Sequence, residues 1–253
     1  MDLGLKGKRC LVTGGCNGLG EGITKGLLKE GAKVVSTTRN KKIGQHFKEN
    51  IEDRYKENFS FLEAELSTQK DIQDFIRNNN FEYDILINNA GHTLNINDPF
   101  CNHEDWSRIL NLNFLSCVSL VNAVYPFMKR NNWGRIINIT SCAGMENSGP
   151  VTFTTSKAAL TAYTRSMGRI FAIDSPGVVM TAIYPGVIVT KGGHWDKILK
   201  KDPKRAEKYI SERCPLGRFG EIDEFTPIVV FYCSNLVSFA HGSIIGIDGG
   251  QSK

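Results

Sequence analysis

The residues whose spacing most plainly suits chemistry are the glycines of Thr13-Gly14-Gly15-Cys16-Asn17-Gly18-Leu19-Gly20. They follow an apolar run, Arg9-Cys10-Leu11-Val12, and precede a helical pattern with Ile23, Leu27 and Leu28 on one face. Glycines placed there let the backbone turn tightly and approach a pyrophosphate. The helix N-terminus behind them offers free N–H groups and the positive end of its dipole. A plain tight turn is the competing reading, and the position between first strand and first helix favours the phosphate cradle. Nothing comparable points to a metal. The histidines form no ligand constellation, and Cys10, Cys16, Cys101, Cys117, Cys142, Cys214 and Cys233 never form C-x-x-C. Reduced thiols, a cytoplasmic location and no metal are the expectation.

The elements that must position this loop follow from the apolar pattern. Strands are expected at Arg9–Val12, Lys33–Thr37, Phe59–Leu62, Asp84–Ile87, Arg135–Ile139, Val178–Ile183 and Ser243–Ile247. Helices are expected around Ile23–Leu28, Ile43–Ile51, Ile72–Ile76, Trp106–Met128, Lys157–Phe171 and Glu224–Cys233, with residues 191–213 as an insertion. Alternating strand and helix implies an α/β fold: one Rossmann-type, doubly wound parallel sheet of about seven strands with helices on both faces. At 253 residues, without a linker or repeat, the chain reads as one domain over 1–253. Thirty-one Lys+Arg against 26 Asp+Glu is too mild an excess for a nucleic-acid binder. No run approaches the 18 or more apolar residues of a membrane span, and the N-terminus lacks a signal-peptide layout.

The loop spacing is T-G-x-x-x-G-x-G, and with it the chain resembles the short-chain dehydrogenase/reductase family. Further ordered matches are Asn88-Asn89-Ala90-Gly91, Asn113 seven residues after Trp106, Ser141 after the fifth strand, and Lys157 in Ser156-Lys157-Ala158-Ala159. Pro185-Gly186-Val187-Ile188-Val189-Thr190, Pro215-Leu216-Gly217-Arg218-Phe219-Gly220 and Asp248-Gly249-Gly250 match its C-terminal patterns. The resemblance implies hydride transfer between a nicotinamide and a small carbonyl/alcohol substrate. It also implies that Gly14, Asn17, Gly18, Leu19, Gly20, Arg39, Asn40, Glu65, Leu66, Asn89, Ala90, Gly91, Lys157, Pro185, Gly186, Ile188 and Thr190 hold the cofactor. Charge selects which cofactor. NAD enzymes carry an acid after the second strand for the ribose hydroxyls. Here that turn reads Thr37-Thr38-Arg39-Asn40, and Arg39 suits a 2′-phosphate, so NADP(H) is expected, with a solvated surface arginine as the alternative. Glu65 stands where the family usually has Asp beside the adenine.

In the family a Tyr passes the proton, a Lys lowers the Tyr pKa and holds the nicotinamide ribose, a Ser binds the substrate oxygen, and an Asn supports a water relay. Asn113, Ser141 and Lys157 match those roles. The Tyr slot, four residues before Lys157, holds Phe153, which has no O–H to give. Three readings stay open. Phe153 is an engineered change, or the proton comes from Thr154, Ser141 or water, or the chain is a non-catalytic NADP(H)-binding module working through partners. Tyr163 lies too far along its helix to substitute, and Tyr184 reads as a packing residue.

Residues 191–213 fall where the family has a substrate lid, with Gly192-Gly193 as hinge and His194 and Trp195 able to line a pocket. Lys197, Lys200, Lys201, Lys204, Arg205 and Lys208 read as a solvated face or as a lure for an anionic substrate. Lys129 and Arg130 resemble one docking site for an acidic carrier protein, but the second such site falls near Asp174, which argues against a carrier-bound substrate. His92 reads as a loop residue. The resemblance implies a homo-oligomer, a tetramer or dimer, with the Asn113 and Lys157 helices at its interface.

Overall fold

The computed structural model describes residues 1–146 and 148–252. Seven strands form one parallel sheet: β1 (Arg9–Val12), β2 (Lys33–Thr38), β3 (Phe59–Glu63), β4 (Ile85–Asn88), β5 (Gly134–Ile139), β6 (Val178–Pro185) and β9 (Ile244–Ile247). Their order is β3-β2-β1-β4-β5-β6-β9. The order reverses between β1 and β4, which opens a crevice beyond the strand ends. Residues 191–213 form two helices, α7 (His194–Lys201) and α8 (Pro203–Arg213). They lie next to a second small sheet of β7 (Ile188–Val189) and β8 (Gly220–Glu221). That pair of two-residue strands is too short to leave a periodicity in the sequence.

Each central strand is buried on both faces, and the pleat sorts its side chains. Leu11, Leu86, Ile136 and Met180 point to one side. They meet α3 (Gln69–Arg77), α5 (Ser116–Arg130) and α6 (Val151–Asp174) through Phe75, Val124 and Phe171. Cys10, Val12, Ile85 and Ile137 point to the other. There α1 (Gly18–Lys29), α2 (Lys41–Asn50) and α9 (Ile222–Tyr232) bring Leu27, Phe47 and Phe225. Helix α1 stops at Gly31, whose φ of 77° is the left-handed conformation of a Schellman ending, with Ala32 N donating to Leu27 O at 3.1 Å.

Two helices differ from the sequence expectation in ways that bear on the site. Helix α6 begins at Val151 rather than at Lys157, so Phe153 and Lys157 lie one turn apart on the same helix. The cluster Thr152-Phe153-Thr154-Thr155 is poor in helix formers, and tertiary docking overrides that weak propensity. The long helix is continuous from His103 to Arg130 but contains a π turn at Asn111–Leu115, between α4 (His103–Leu110) and α5. An 18-residue window of that stretch is apolar enough to cross a membrane by length and composition, which the expectation of no such run had missed. Here its apolar face, with Leu120, Val121 and Val124, is buried against the sheet and α3.

Helix α6 comes close to the turn before β9 where Gly168 meets Gly242. A Cβ on Gly168 would collide with the Gly242 backbone. Helix propensity alone favours alanine by about 1 kcal/mol, whereas overpacking against backbone costs about 1–3 kcal/mol. Gly168→Ala is therefore expected to lower the urea midpoint. An unchanged or higher midpoint would show that the contact yields.

Candidate active site

The glycine loop is held open by hydrogen bonds from its neighbours. Asn89 Nδ2 donates to Thr13 O at 2.9 Å and to Gly14 O at 3.3 Å. Thr13 Oγ1 accepts from Asn89 N and Ala90 N, both at 2.9 Å. Gly14 N donates to Thr37 Oγ1 at 3.1 Å, tying the loop to β2. Gly14 and Gly18 have φ of 63° and 55°, the region in which a side chain strains the backbone. A Cβ on Gly20 would collide with Gly14 O, so the third glycine lets α1 rise directly behind the loop. Asn17 sits at the α1 N-cap without a side-chain cap bond, which leaves the first helical N–H groups facing the cleft.

One cleft of about 990 Å³ runs from this loop to α6 and the 191–213 segment. It brings together Gly14, Asn17, Gly18, Leu19, Gly20, Arg39, Asn40, Glu65, Leu66, Asn89, Ala90, Gly91, Ser141, Phe153, Lys157, Pro185, Gly186, Ile188 and Thr190. At one end Arg39 is exposed and forms no ion pair among the described residues. Asn40 and Glu65 line the wall, each with one side-chain oxygen already engaged. Asn40 Oδ1 caps α2 through Lys42 N at 2.9 Å, and Glu65 Oε1 accepts from Leu66 N and Ser67 N, both at 2.9 Å. The residues fit a dinucleotide with a 2′-phosphate: a backbone cradle that glycine permits, an uncapped helix end, and a guanidinium that forms no ion pair among the described residues.

At the other end Ser141 Oγ accepts from Ala143 N at 3.1 Å, which fixes the hydroxyl and leaves its proton free. Lys157 is 3% exposed and donates from Nζ to Ile139 O at 2.9 Å. Burial depresses its pKa, and the nearby Cys117 thiol opposes that only in part. Its Nζ lies 5.8 Å from the Phe153 ring centroid. Asn113, fully buried, is the one predicted site residue that does not line the cleft. Its amide donates to His92 O and Ile109 O and accepts from His92 N, all at 3.0 Å. It thereby clamps the loop after β4 from behind, and the π turn gives it the reach. A Cβ on Gly91 would lie 2.8 Å from Asn113 Oδ1 and 2.9 Å from Lys157 Nζ, so a larger residue there would displace one of them.

Other expectations meet mixed outcomes. His194 and Trp195 do line the cleft, and so does His92. The six basic residues from Lys197 to Lys208 do not. Lys200 pairs with Asp196 at 2.8 Å and Lys208 with Glu212 at 3.9 Å, on the outer face. Thr154 does not reach the cleft either. Tyr184 Oη packs toward Ser252 at 3.2 Å. Cys142 and Tyr209 line the cleft and were not singled out from the sequence. Cys142 could have been found as the neighbour of Ser141, whereas Tyr209 carries no local signal.

The residues from 8 to 196 match a family model described as short chain dehydrogenase. The chain is 32% identical to the 3-oxoacyl-(acyl-carrier-protein) reductase of Aquifex aeolicus, over 99% of this chain and all of that protein. It is 31% identical to the 2-dehydro-3-deoxy-D-gluconate 5-dehydrogenase of Bacillus subtilis, over 97% of this chain and 95% of that one. In structure it resembles the L-sorbose reductase of Gluconobacter frateurii, solved with NADPH and L-sorbose. The TM-score is 0.89 and the identity 25%, with 100% of this chain and 99% of the other covered. Loop, cleft, sheet order and relatives agree, and the chain belongs to the short-chain dehydrogenase family of oxidoreductases.

Proposed function

We propose that this protein is an NADP(H)-dependent reductase or dehydrogenase acting on a carbonyl/alcohol pair. The observation that carries this is the single cleft joining the glycine loop and free Arg39 at one end to Ser141 and Lys157 at the other. NADP(H), when bound, supplies or accepts the hydride. The glycine loop and α1 N-terminus would hold its pyrophosphate, and Arg39 its 2′-phosphate. Pro185, Gly186, Ile188 and Thr190 would border the nicotinamide, whose ribose Lys157 would hold. Ser141 would donate to the substrate oxygen. Support for NADP(H) comes also from the NADPH of the L-sorbose reductase complex.

The substrate is read as a small, neutral carbonyl compound. The basic residues of the 191–213 segment stand outside the cleft, which removes the reason to expect an anion. Lys129 and Arg130 lie against Tyr125 and Phe127 of their own helix, and Asp174 remains the wrong charge for a carrier protein. The aromatic packing of Trp195, Tyr209 and Phe219 supports reading residues 191–213 as a lid with a small core of its own. A homo-oligomer is supported by the exposed Leu115, Ile170 and Ile173, while Val121, Val124 and Phe171 face the chain's own core. The seven free thiols suit a cytoplasmic location. Phe153 favours the second reading, a cofactor-binding module without turnover, because its ring cannot replace a phenol proton.

Two outcomes test the assignment. Arg39→Ala is expected to weaken NADPH binding by about 10- to 100-fold, the worth of a charge-assisted hydrogen bond. NADH binding should hardly change, as read from the fluorescence of the bound nucleotide, and equal losses would refute the phosphate contact. The second concerns Lys157, whose folded-state pKa lies below its unfolded value near 10.4. Between those values the unfolded chain binds more protons, so stability rises with pH. The wild-type chain should therefore gain urea stability relative to Lys157→Met as pH rises through that window. A difference that stays flat with pH would mean that the ammonium is not penalised by burial.

A further inference from the structure

Phe153 leaves the cleft without the family's proton donor, yet the lid places another phenol there. Tyr209 lines the same cleft as Ser141, Phe153 and Lys157. It stands on α8, with its ring 4.3 Å from that of Trp195. Gln251, 4% exposed, reaches it from the C-terminal segment. Gly249 and Gly250, with φ of 63° and 80°, bend that segment back toward the lid.

The hydrogen bonds fix which atom carries the free proton. Val187 N donates to Gln251 Oε1 at 3.0 Å, so the other end of the amide must be Nε2. That Nε2 lies 3.0 Å from Tyr209 Oη and can only donate. The phenol oxygen is therefore the acceptor, and its own O–H finds no acceptor among the described residues. Burial, with the Cys142 thiol nearby, raises the Tyr209 pKa, so the group keeps its proton at neutral pH. Of the alternatives, Thr154 does not reach the cleft and Ser141 offers an aliphatic hydroxyl, a weaker acid than a phenol.

We infer that Tyr209 is a catalytic residue that gives its proton to the substrate oxygen in place of the absent tyrosine at position 153, with Gln251 as its positioning residue. This deepens the reductase reading and rests on it. The carbonyl carbon accepts hydride from NADPH, the π pair of the C=O bond moves to oxygen, and that oxygen takes the Tyr209 proton. The phenolate, still held by Gln251 Nε2, regains a proton from solvent.

The test follows NADPH oxidation with small α-diketones as probes. It compares wild type, Tyr209→Phe, Gln251→Leu and the double variant Phe153→Tyr/Tyr209→Phe, and the fluorescence of bound NADPH reports cofactor affinity in each. Tyr209→Phe is expected to keep NADPH affinity and lose about 100-fold or more in kcat, the span of a general acid. Gln251→Leu should lose less, and the double variant should recover, which separates lost proton donation from damage to the lid. A Tyr209→Phe chain as fast as wild type overturns the assignment and leaves the reductase reading standing. So does a double variant as slow as Tyr209→Phe, since lid packing would then explain the loss. A wild-type chain that binds NADPH but oxidises it with none of the probes overturns both.

Discussion

The hydrogen bonds between Thr13 and Asn89 are the constraint on which the cleft depends. Strands β1 and β4 are neighbours in the sheet, and their connections leave to opposite faces. Without a tie beyond the strand ends, two loops would diverge over a crevice full of unpaired backbone groups. Asn89 and Thr13 satisfy those groups mutually and leave the cleft side free. Thr37 extends the tie to β2, and Asn113 extends it to the loop after β4. Hydrogen bonds to β2 and to the loop after β4 thus hold the glycine loop on two sides.

Lys157 shows the opposite tendency, a group that folding tolerates at some cost. It is buried, its hydrogen bond goes to the neutral Ile139 carbonyl, and no salt bridge among the described residues includes it. A buried cation without a carboxylate destabilises a protein. It nonetheless lines the cleft, on the same helix as Phe153. The ammonium beside an aromatic ring gains some cation–π attraction at 5.8 Å, too little to offset desolvation. Its value lies in the cleft it faces.

The 191–213 segment has, with its flank, a small core of its own, in which Ile198, Ala206 and Phe219 are buried with Trp195 and Tyr209 against them. It meets the body through the β7–β8 pair and through Gln251, whose amide joins the backbone after β6 to α8. A unit so connected can present side chains to the cleft with fixed geometry, as a site on a floppy excursion could not. That arrangement brings Gln251 against Tyr209, which lines the cleft at its 191–213 end.

The strand-helix alternation, the glycine loop, Arg39 and the positions of Ser141, Phe153 and Lys157 were all legible in the sequence. Each is a local pattern: periodicity fixes an element, and position relative to a strand end fixes the exposure of a loop residue. The glycine-loop end of the cleft was legible for the same reason, since it is built from residues that directly follow β1, β2, β3 and β4. Three things were decided only by the tertiary structure. Asn113 stands behind Gly91, bonded to the His92 backbone from within a π turn, and no spacing announces that turn. The basic residues of the 191–213 segment faced solvent because the apolar side of α7 and α8 had a core to cover. Tyr209 entered the cleft because Gln251, 42 residues further along the chain, reaches it there. Such placements depend on which buried polar groups find partners across the fold, and sequence order does not encode that pairing.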